Sequence, residues 1–191
     1  MCNAFNTASK KVFKEGLLEE SFPTLIRRTD LAPVVLLSGE VVEMRWGFER
    51  SNLSAVNNAR CDNLSSKMWK EAFAKRRCLI PLMSYYEWRG SKKNRRTYLF
   101  QSPKNQWIFA AGIWERSSEF GLCFSMLTTD ANKVVAPIHH RMPVILDQAE
   151  RPAYLNNELQ TFAPDPRLLV VKETPSPFLK NRPTHIQDEL F

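Results

Sequence analysis

Six short runs of aliphatic and aromatic residues dominate the chain, at positions 34–37, 41–44, 78–82, 97–100, 107–113 and 122–127, punctuated by Ser, Gly, Lys or Asn. Runs of that length and composition read as strands, and their density predicts a curved, mainly antiparallel sheet. Helices have room only between them. Ser65 or Ser66 can cap one that runs to about Lys75, with Met68, Trp69, Ala72 and Phe73 recurring on one apolar face. Short helices are expected to start at Asp130 and Asp147, where an aspartate precedes apolar residues. The Pro-rich stretch 164–183 reads as an extended arm over the surface. The expected fold class is α+β, a single domain with a curved, mainly antiparallel β-sheet or barrel-like core and a few flanking helices.

The composition supplies a core for those strands. With 191 residues, 43% hydrophobic and 25% charged, the chain suits one globular domain over 1–191. No apolar run approaches the roughly 18 residues a spanning helix needs, and the first residues lack a secretory pattern. A soluble, cytoplasmic monomer is the expectation. The four cysteines, Cys2, Cys61, Cys78 and Cys123, form no CxxC pair, and the three histidines have no HxxxH or HExxH spacing. Neither a disulfide framework nor a metal site is indicated, and no cofactor is expected. A net charge of +7 and a pI near 9.4 point to an anionic partner, nucleic acid first, although basic domains without one are also common.

Position 2 carries chemistry of its own. A small residue there favours removal of Met1, and Cys2 would then present an α-amine and a thiol on adjacent carbons. Their ordinary pKa values, about 7.7–8.0 and 8.5, leave useful fractions of neutral amine and thiolate near neutral pH. An aldehyde meeting such a pair gives an imine, and the thiol then closes a five-membered thiazolidine that resists hydrolysis. The alternative is that Cys2 is simply the second residue of a frayed terminus.

Three further segments place polar groups where a strand-rich core prefers apolar ones. Asn57-Asn58-Ala59-Arg60-Cys61-Asp62 reads by itself as a turn and cap. Tyr85-Tyr86-Glu87-Trp88 sets a carboxylate among aromatics. Such a group should have a raised pKa suited to proton donation, although a salt-bridged structural Glu is commoner. His139-His140-Arg141-Met142-Pro143 puts two histidines and an arginine just ahead of a strand, a pattern also found in solvent-exposed loops.

Taken together, Met1-Cys2, Asn58-Ala59-Arg60, Glu87-Trp88 and His139-x-Arg141-Met142-Pro143 occur in the order and approximate spacing of the SRAP (SOS response-associated peptidase) family, which this sequence resembles from residue 2 to about Leu146. Ala32-Pro33, Arg45-Trp46-Gly47-Phe48 and Thr128-Thr129 support the match, which fades after Leu146. The resemblance implies an abasic-site processing protein that acts on single-stranded DNA. It implies Cys2 as crosslinking nucleophile, Asn58 as the residue orienting the reacting terminus and opened sugar, Glu87 as the proton-handling acid, and His139 as the assistant in imine formation. The stable adduct would shield the lesion, with weak lyase cleavage as a side reaction. Arg60 and Arg141 match arginines that contact phosphates, as guanidinium forks do well. His140 falls at a variable position and is expected at the surface.

Trp46 and Trp88 are candidates for stacking on bases beside the lesion, with Trp88 equally a candidate for the core. The run Lys92-Lys93-Asn94-Arg95-Arg96 resembles a basic hairpin tip, placing Lys92, Lys93, Arg95 and Arg96 along a DNA backbone or merely in solvent. The sequence also departs from the family. It begins Met1-Cys2-Asn3-Ala4-Phe5 where relatives commonly have Met-Cys-Gly-Arg-Phe, and Ser84-Tyr85 replaces a usual Gly-Trp. Two other functions remain open at this point. One is a cysteine peptidase, at its most modest removing its own Met1, with Cys2 as nucleophile and His139 as base. The other is a non-catalytic single-stranded DNA-binding module.

Overall fold

A computed structural model describes residues 3–8, 24–50, 53–91 and 93–178. Cys2 and Lys92 therefore lie outside the described residues. The strands are β1 (Ala4–Thr7), β2 (Thr24–Arg27), β3 (Leu31–Val35), β4 (Val41–Trp46), β5 (Phe48–Arg50), β6 (Leu53–Val56), β7 (Asn58–Arg60), β8 (Arg77–Leu82), β9 (Ser84–Arg89), β10 (Arg96–Gln101), β11 (Ile108–Ser117), β12 (Gly121–Asp130), β13 (Arg141–Pro143), β14 (Ile145–Leu146) and β15 (Val170–Thr174). Two short helices, α1 (Lys70–Lys75) and α2 (Glu150–Leu155), flank them.

Strands β12, β4, β3, β8 and β11 pair in that order, and β11 returns to β12, closing a five-stranded barrel. Closure leaves these strands no free edge. Every residue of β8 is buried, so after Arg77 this strand reads as a continuous apolar run, Cys78 to Leu82, rather than an alternating one. A second sheet runs β15-β10-β9-β1-β2 and is antiparallel throughout. The α+β class expected from the sequence is the class observed.

The barrel core is organised around Trp46. Its fully buried ring stacks on Phe124 with centroids 6.3 Å apart and meets Phe5 of β1 edge-on at 4.8 Å. A buried indole N–H needs an acceptor, and the Asn57 carbonyl provides it at 2.8 Å. This corrects the expectation that Trp46 stacks on bases, because no face of its ring reaches solvent. The next residue, Gly47, has φ of +128°, and a Cβ there would lie 2.6 Å from Cβ of Ala55, so the close approach of β4 to the β6 segment requires glycine.

Several local expectations change. The 57–62 segment is not simply a turn: Asn58–Arg60 forms β7, parallel to β12 with Asn58 opposite Met126 and Arg60 opposite Thr128. Cys61–Asn63 then makes a 3-10 turn. The helix expected from Ser65 or Ser66 starts at Lys70, after turns in which the Ser66 carbonyl accepts from the backbone N–H groups of Trp69 and Lys70. Asp130 begins no helix. It ends β12 opposite Arg141, and two residues later Asn132 accepts hydrogen bonds from Val134 N and Val135 N in a turn. The helix expected from Asp147 starts three residues later, at Glu150, and Asp147 exchanges reciprocal side-chain-to-backbone bonds with Glu150 at 2.8 and 2.9 Å ahead of it. Part of the Pro-rich stretch becomes β15, paired with β10 along its whole length.

Replacing Trp46 by Phe should lower stability by about 1–3 kcal/mol in chemical denaturation, through lost ring volume and the lost bond to Asn57. Unchanged stability would contradict its placement as the pivot of the core.

Candidate active site

The site is assembled around the start of β1. Both faces of that strand are held, one by Phe5, which packs on Trp46, and by the Thr7 hydroxyl, which donates to the Pro81 carbonyl at 2.8 Å, the other by Asn6. The Asn6 amide donates to Ser84 Oγ at 2.9 Å and to the Tyr86 hydroxyl at 3.0 Å. Phe5 lies opposite Tyr85 and Asn6 opposite Ser84. Carried back along the antiparallel register, position 3 falls opposite Glu87. The Asn3 side chain accepts from the Asn57 amide at 3.4 Å. Asn3, the immediate neighbour of Cys2, is thus tied to the segment that carries Asn58.

Glu87, only 2% exposed, is pushed up to about 7. Burial is the dominant cause, and the charge and hydrogen bonding of the chain's amino terminus pull in the opposite sense, with a smaller pull from the Trp88 backbone. A carboxyl in that range holds its proton about half the time near neutral pH, which suits both donation and acceptance. His139 is lowered from its ordinary value, by burial first and then by the same amino-terminal charge, against a backbone hydrogen bond at Arg141 that raises it. A neutral imidazole at pH 7 follows. Its Nδ1 accepts the Arg141 backbone N–H at 2.9 Å, which leaves the proton on Nε2, and it lies 3.0 Å from the Arg141 carbonyl, to which it can donate once protonated.

Asn58 is buried on β7. Around Thr128, β7 pairs with one edge of β12 and β13 with the other, which brings Asn58 and the segment after His139 to the same part of the barrel. Asn58, Glu87 and His139 each make further contacts beyond those described.

The arginines differ from one another. Arg141 is almost enclosed, its side chain 6% exposed, donating to Asp130 at 2.8 Å and to the Thr128 carbonyl at 2.6 Å, with Asp62 at 3.7 Å. It was expected on phosphate. Here its two terminal nitrogens are taken by protein acceptors, and it braces β13 and hence the peptide N–H that holds His139. Arg60 is exposed and forks onto Asp62 at 3.0 and 2.5 Å. Trp88 is half-buried and stacks with Phe178 and Tyr86, at centroid distances of 5.6 and 6.4 Å. His140 is exposed, its ring 4.5 Å from that of His139. Lys93, Arg95 and Arg96 are exposed on the β9–β10 hairpin.

Sequence reasoning missed Asn3, Asp62 and Asp130 as parts of this arrangement. The Arg60-x-Asp62 spacing was the available signal for one of them. Among the described residues no three His, Cys, Asp or Glu side chains converge on a metal position, and no helix is long and apolar enough to cross a membrane. Burial pushes the Cys61 thiol up to about 12 and raises Cys78 and Cys123, so none of the three is a thiolate of consequence at neutral pH.

A closed five-stranded barrel, joined to a second sheet in which the buried carboxyl of Glu87 sits on the strand paired with β1, defines a class, and the chain belongs to the SOS response associated peptidase (SRAP) family, whose model matches residues 21–183. That match passes well beyond Leu146. The chain is 30% identical over 152 residues to the abasic site processing protein YMR114C of Saccharomyces cerevisiae, covering 74% of this chain and 39% of that one. It is 30% identical over 128 residues to the abasic site processing protein YoqW of Bacillus subtilis (60% and 56%), and 29% over 167 residues to the abasic site processing protein HMCES of Gallus gallus (69% and 50%). The chain thus spans roughly two fifths to just over half of these curated relatives' lengths. A crystal structure of a Bacteroides thetaiotaomicron protein superposes with a TM-score of 0.75 at 23% identity, covering 90% of this chain and 91% of that one. One from Bordetella bronchiseptica gives 0.74 at 19%, covering 91% and 99%. These two likenesses establish the fold.

Glu87 keeps its proton to a higher pH folded than unfolded. Its contribution to stability is therefore full below its ordinary value of 4.5 and is lost as pH rises through about 7. Comparing denaturation curves of the protein and its Glu87→Gln variant from pH 4 to 8 should show the variant gaining relative stability across that window. Parallel curves would mean that Glu87 titrates normally.

Proposed function

We propose that this chain captures abasic sites in single-stranded DNA as a covalent adduct of Cys2, acting as a monomer and without a cofactor. After loss of Met1, the Cys2 amine attacks C1′ of the ring-opened sugar, and the carbinolamine expels water to give an imine. The thiol sulfur then adds to the imine carbon while its proton passes to nitrogen, closing a thiazolidine with a net loss of one water. Glu87 supplies the proton that the departing hydroxyl needs and takes protons back from the amine. His139, neutral at pH 7, is suited to move a proton at the sugar oxygen, while Asn58 orients the terminus. The same imine, before the thiol closes on it, opens a path to β-elimination of the 3′ phosphate, so slow lyase cleavage accompanies capture.

The observation that carries this reading is the position of Glu87: a carboxyl only 2% exposed, pushed up to about 7 by burial, on the strand that pairs with β1, which begins two residues after Cys2. The relatives it matches are abasic site processing proteins, which agrees with it. The positive net charge of +7 suits a DNA strand, and Lys92, Lys93, Arg95 and Arg96 are placed on its backbone in this reading.

The test incubates purified protein, with Met1 loss verified by mass, with single-stranded DNA containing one abasic site, and resolves products on a denaturing gel. A heat-stable adduct is expected, absent from Cys2→Ala and from intact DNA. Glu87→Gln should slow its formation about 10²–10⁴-fold, the usual range for losing a positioned proton donor. An undiminished adduct in Cys2→Ala, or none in Met1-less protein, would refute the proposal and leave peptide chemistry or simple DNA binding.

A further inference from the structure

Outside the groups used so far, one arrangement on the second sheet calls for an anion. Directly opposite residues of β9 and β10 pair as Tyr85 with Phe100, Glu87 with Tyr98, and Arg89 with Arg96. Opposite residues of an antiparallel pair project from the same face, and so do residues two apart on one strand. One sheet face therefore runs from core to rim in three steps. Tyr85 and Phe100 stack in the core at 4.9 Å, Glu87 is buried against Tyr98, and Arg89 and Arg96 stand exposed at the rim.

Two guanidinium groups set directly across a ladder repel each other, and an exposed sheet rim offers many residue types that would not. A cavity of about 300 Å³ opens at this pair, lined by Arg89, Gly90, Asn94, Arg96 and Tyr98. The hairpin is folded tightly to make it. Gly90 has φ of +98°, and a Cβ there would sit 2.6 Å from the Asn94 carbonyl oxygen, so no other residue type fits without strain. The sole carboxylate paired with either arginine among the described residues is Glu173 on β15, 3.5 Å from Arg96 and itself exposed, a contact of little worth.

We infer that Arg89 and Arg96 form a phosphate clamp that seats one phosphodiester of the bound strand within about a nucleotide of the reacting sugar, with Tyr98 and Asn94 walling the seat. This rests on the proposed function, since it places the strand relative to Glu87. The distance supports it: Arg89 lies two strand residues, about 7 Å, beyond Glu87 on the same face, the reach of a single nucleotide. Guanidinium pairs bind phosphate oxygens through planar, charge-assisted forks, and a bound phosphate converts the repulsion across the ladder into a shared attraction. Arg96 belongs to the basic hairpin run; Arg89 lies outside it and is assigned here by register.

The experiment measures noncovalent affinity by fluorescence anisotropy, using single-stranded oligonucleotides with a tetrahydrofuran abasic analogue that has no aldehyde. Each phosphate near the analogue is replaced in turn by a neutral methylphosphonate. In the unaltered protein, one replacement within a nucleotide of the analogue should weaken binding about tenfold, as expected on losing a charge-assisted contact. The Arg89→Ala, Arg96→Ala double variant should be insensitive to that replacement, and its salt dependence shallower by about 0.7, one single-strand phosphate. Thermal melting of the variant controls for folding. Unchanged salt dependence together with unchanged sensitivity to every replacement would overturn the clamp. Because the analogue forms no adduct, the outcome is independent of Cys2 chemistry: loss of adduct with a functioning clamp defeats the covalent reading alone.

Discussion

The indole of Trp46 is the point at which the barrel, the first strand and the asparagine segment meet. Its ring packs against Phe124 of the barrel wall and Phe5 of β1, while its N–H fixes the backbone carbonyl of Asn57. One buried side chain thereby ties β1 to the segment that carries Asn58. The Asn57 amide continues the connection to Asn3, so the residue next to Cys2 is registered to the barrel through a single short path. The chemistry proposed for the terminus needs such anchoring, because orientation of two reactants supplies much of the rate advantage of any positioned nucleophile.

The same burial that builds the core tunes the two proton-handling groups. Removing Glu87 from water raises its pKa to about 7, and removing His139 from water lowers its own, so near neutral pH the carboxyl is partly protonated and the imidazole is neutral. The amino-terminal charge works on both, in the same downward direction. His139 is then fixed by a backbone N–H of Arg141, and Arg141 is itself held by Asp130, Thr128 and, more distantly, Asp62. That arginine acts through structure. Arg60, forked on Asp62, and the arginines of the β9–β10 hairpin stand exposed at the surface.

The strands were legible because aliphatic and β-branched runs declare themselves: β4, β8, β11 and β12 of the barrel and β10 of the second sheet fall on runs read from sequence, while β3 shares only Val34 and Val35 with one. Strand β7 was hidden because Asn58-Ala59-Arg60 has no strand propensity; its pairing with β12 is imposed by the fold, with the Asn57 carbonyl held by both Trp46 and Met126. Strand β15 was masked by flanking prolines. Trp46 was misread because an aromatic in a recognisable motif looks the same in sequence whether it stacks on a base or on Phe124. The candidate site was legible as a set of residue types, through the resemblance, but the partners of Arg60 and Arg141 were not: ion pairs are made by register across strands, which no local pattern encodes. Arg89 shows the same limit, since its meaning depends on what stands opposite.

The most direct measurement of the central claim is peptide mapping by mass spectrometry of the protein digested after reaction with abasic-site DNA. The expected result is the sugar remnant on the peptide that begins at Cys2, with Met1 gone and a mass corresponding to loss of one water on joining. A remnant on a lysine peptide, or on a peptide still carrying Met1, would contradict it.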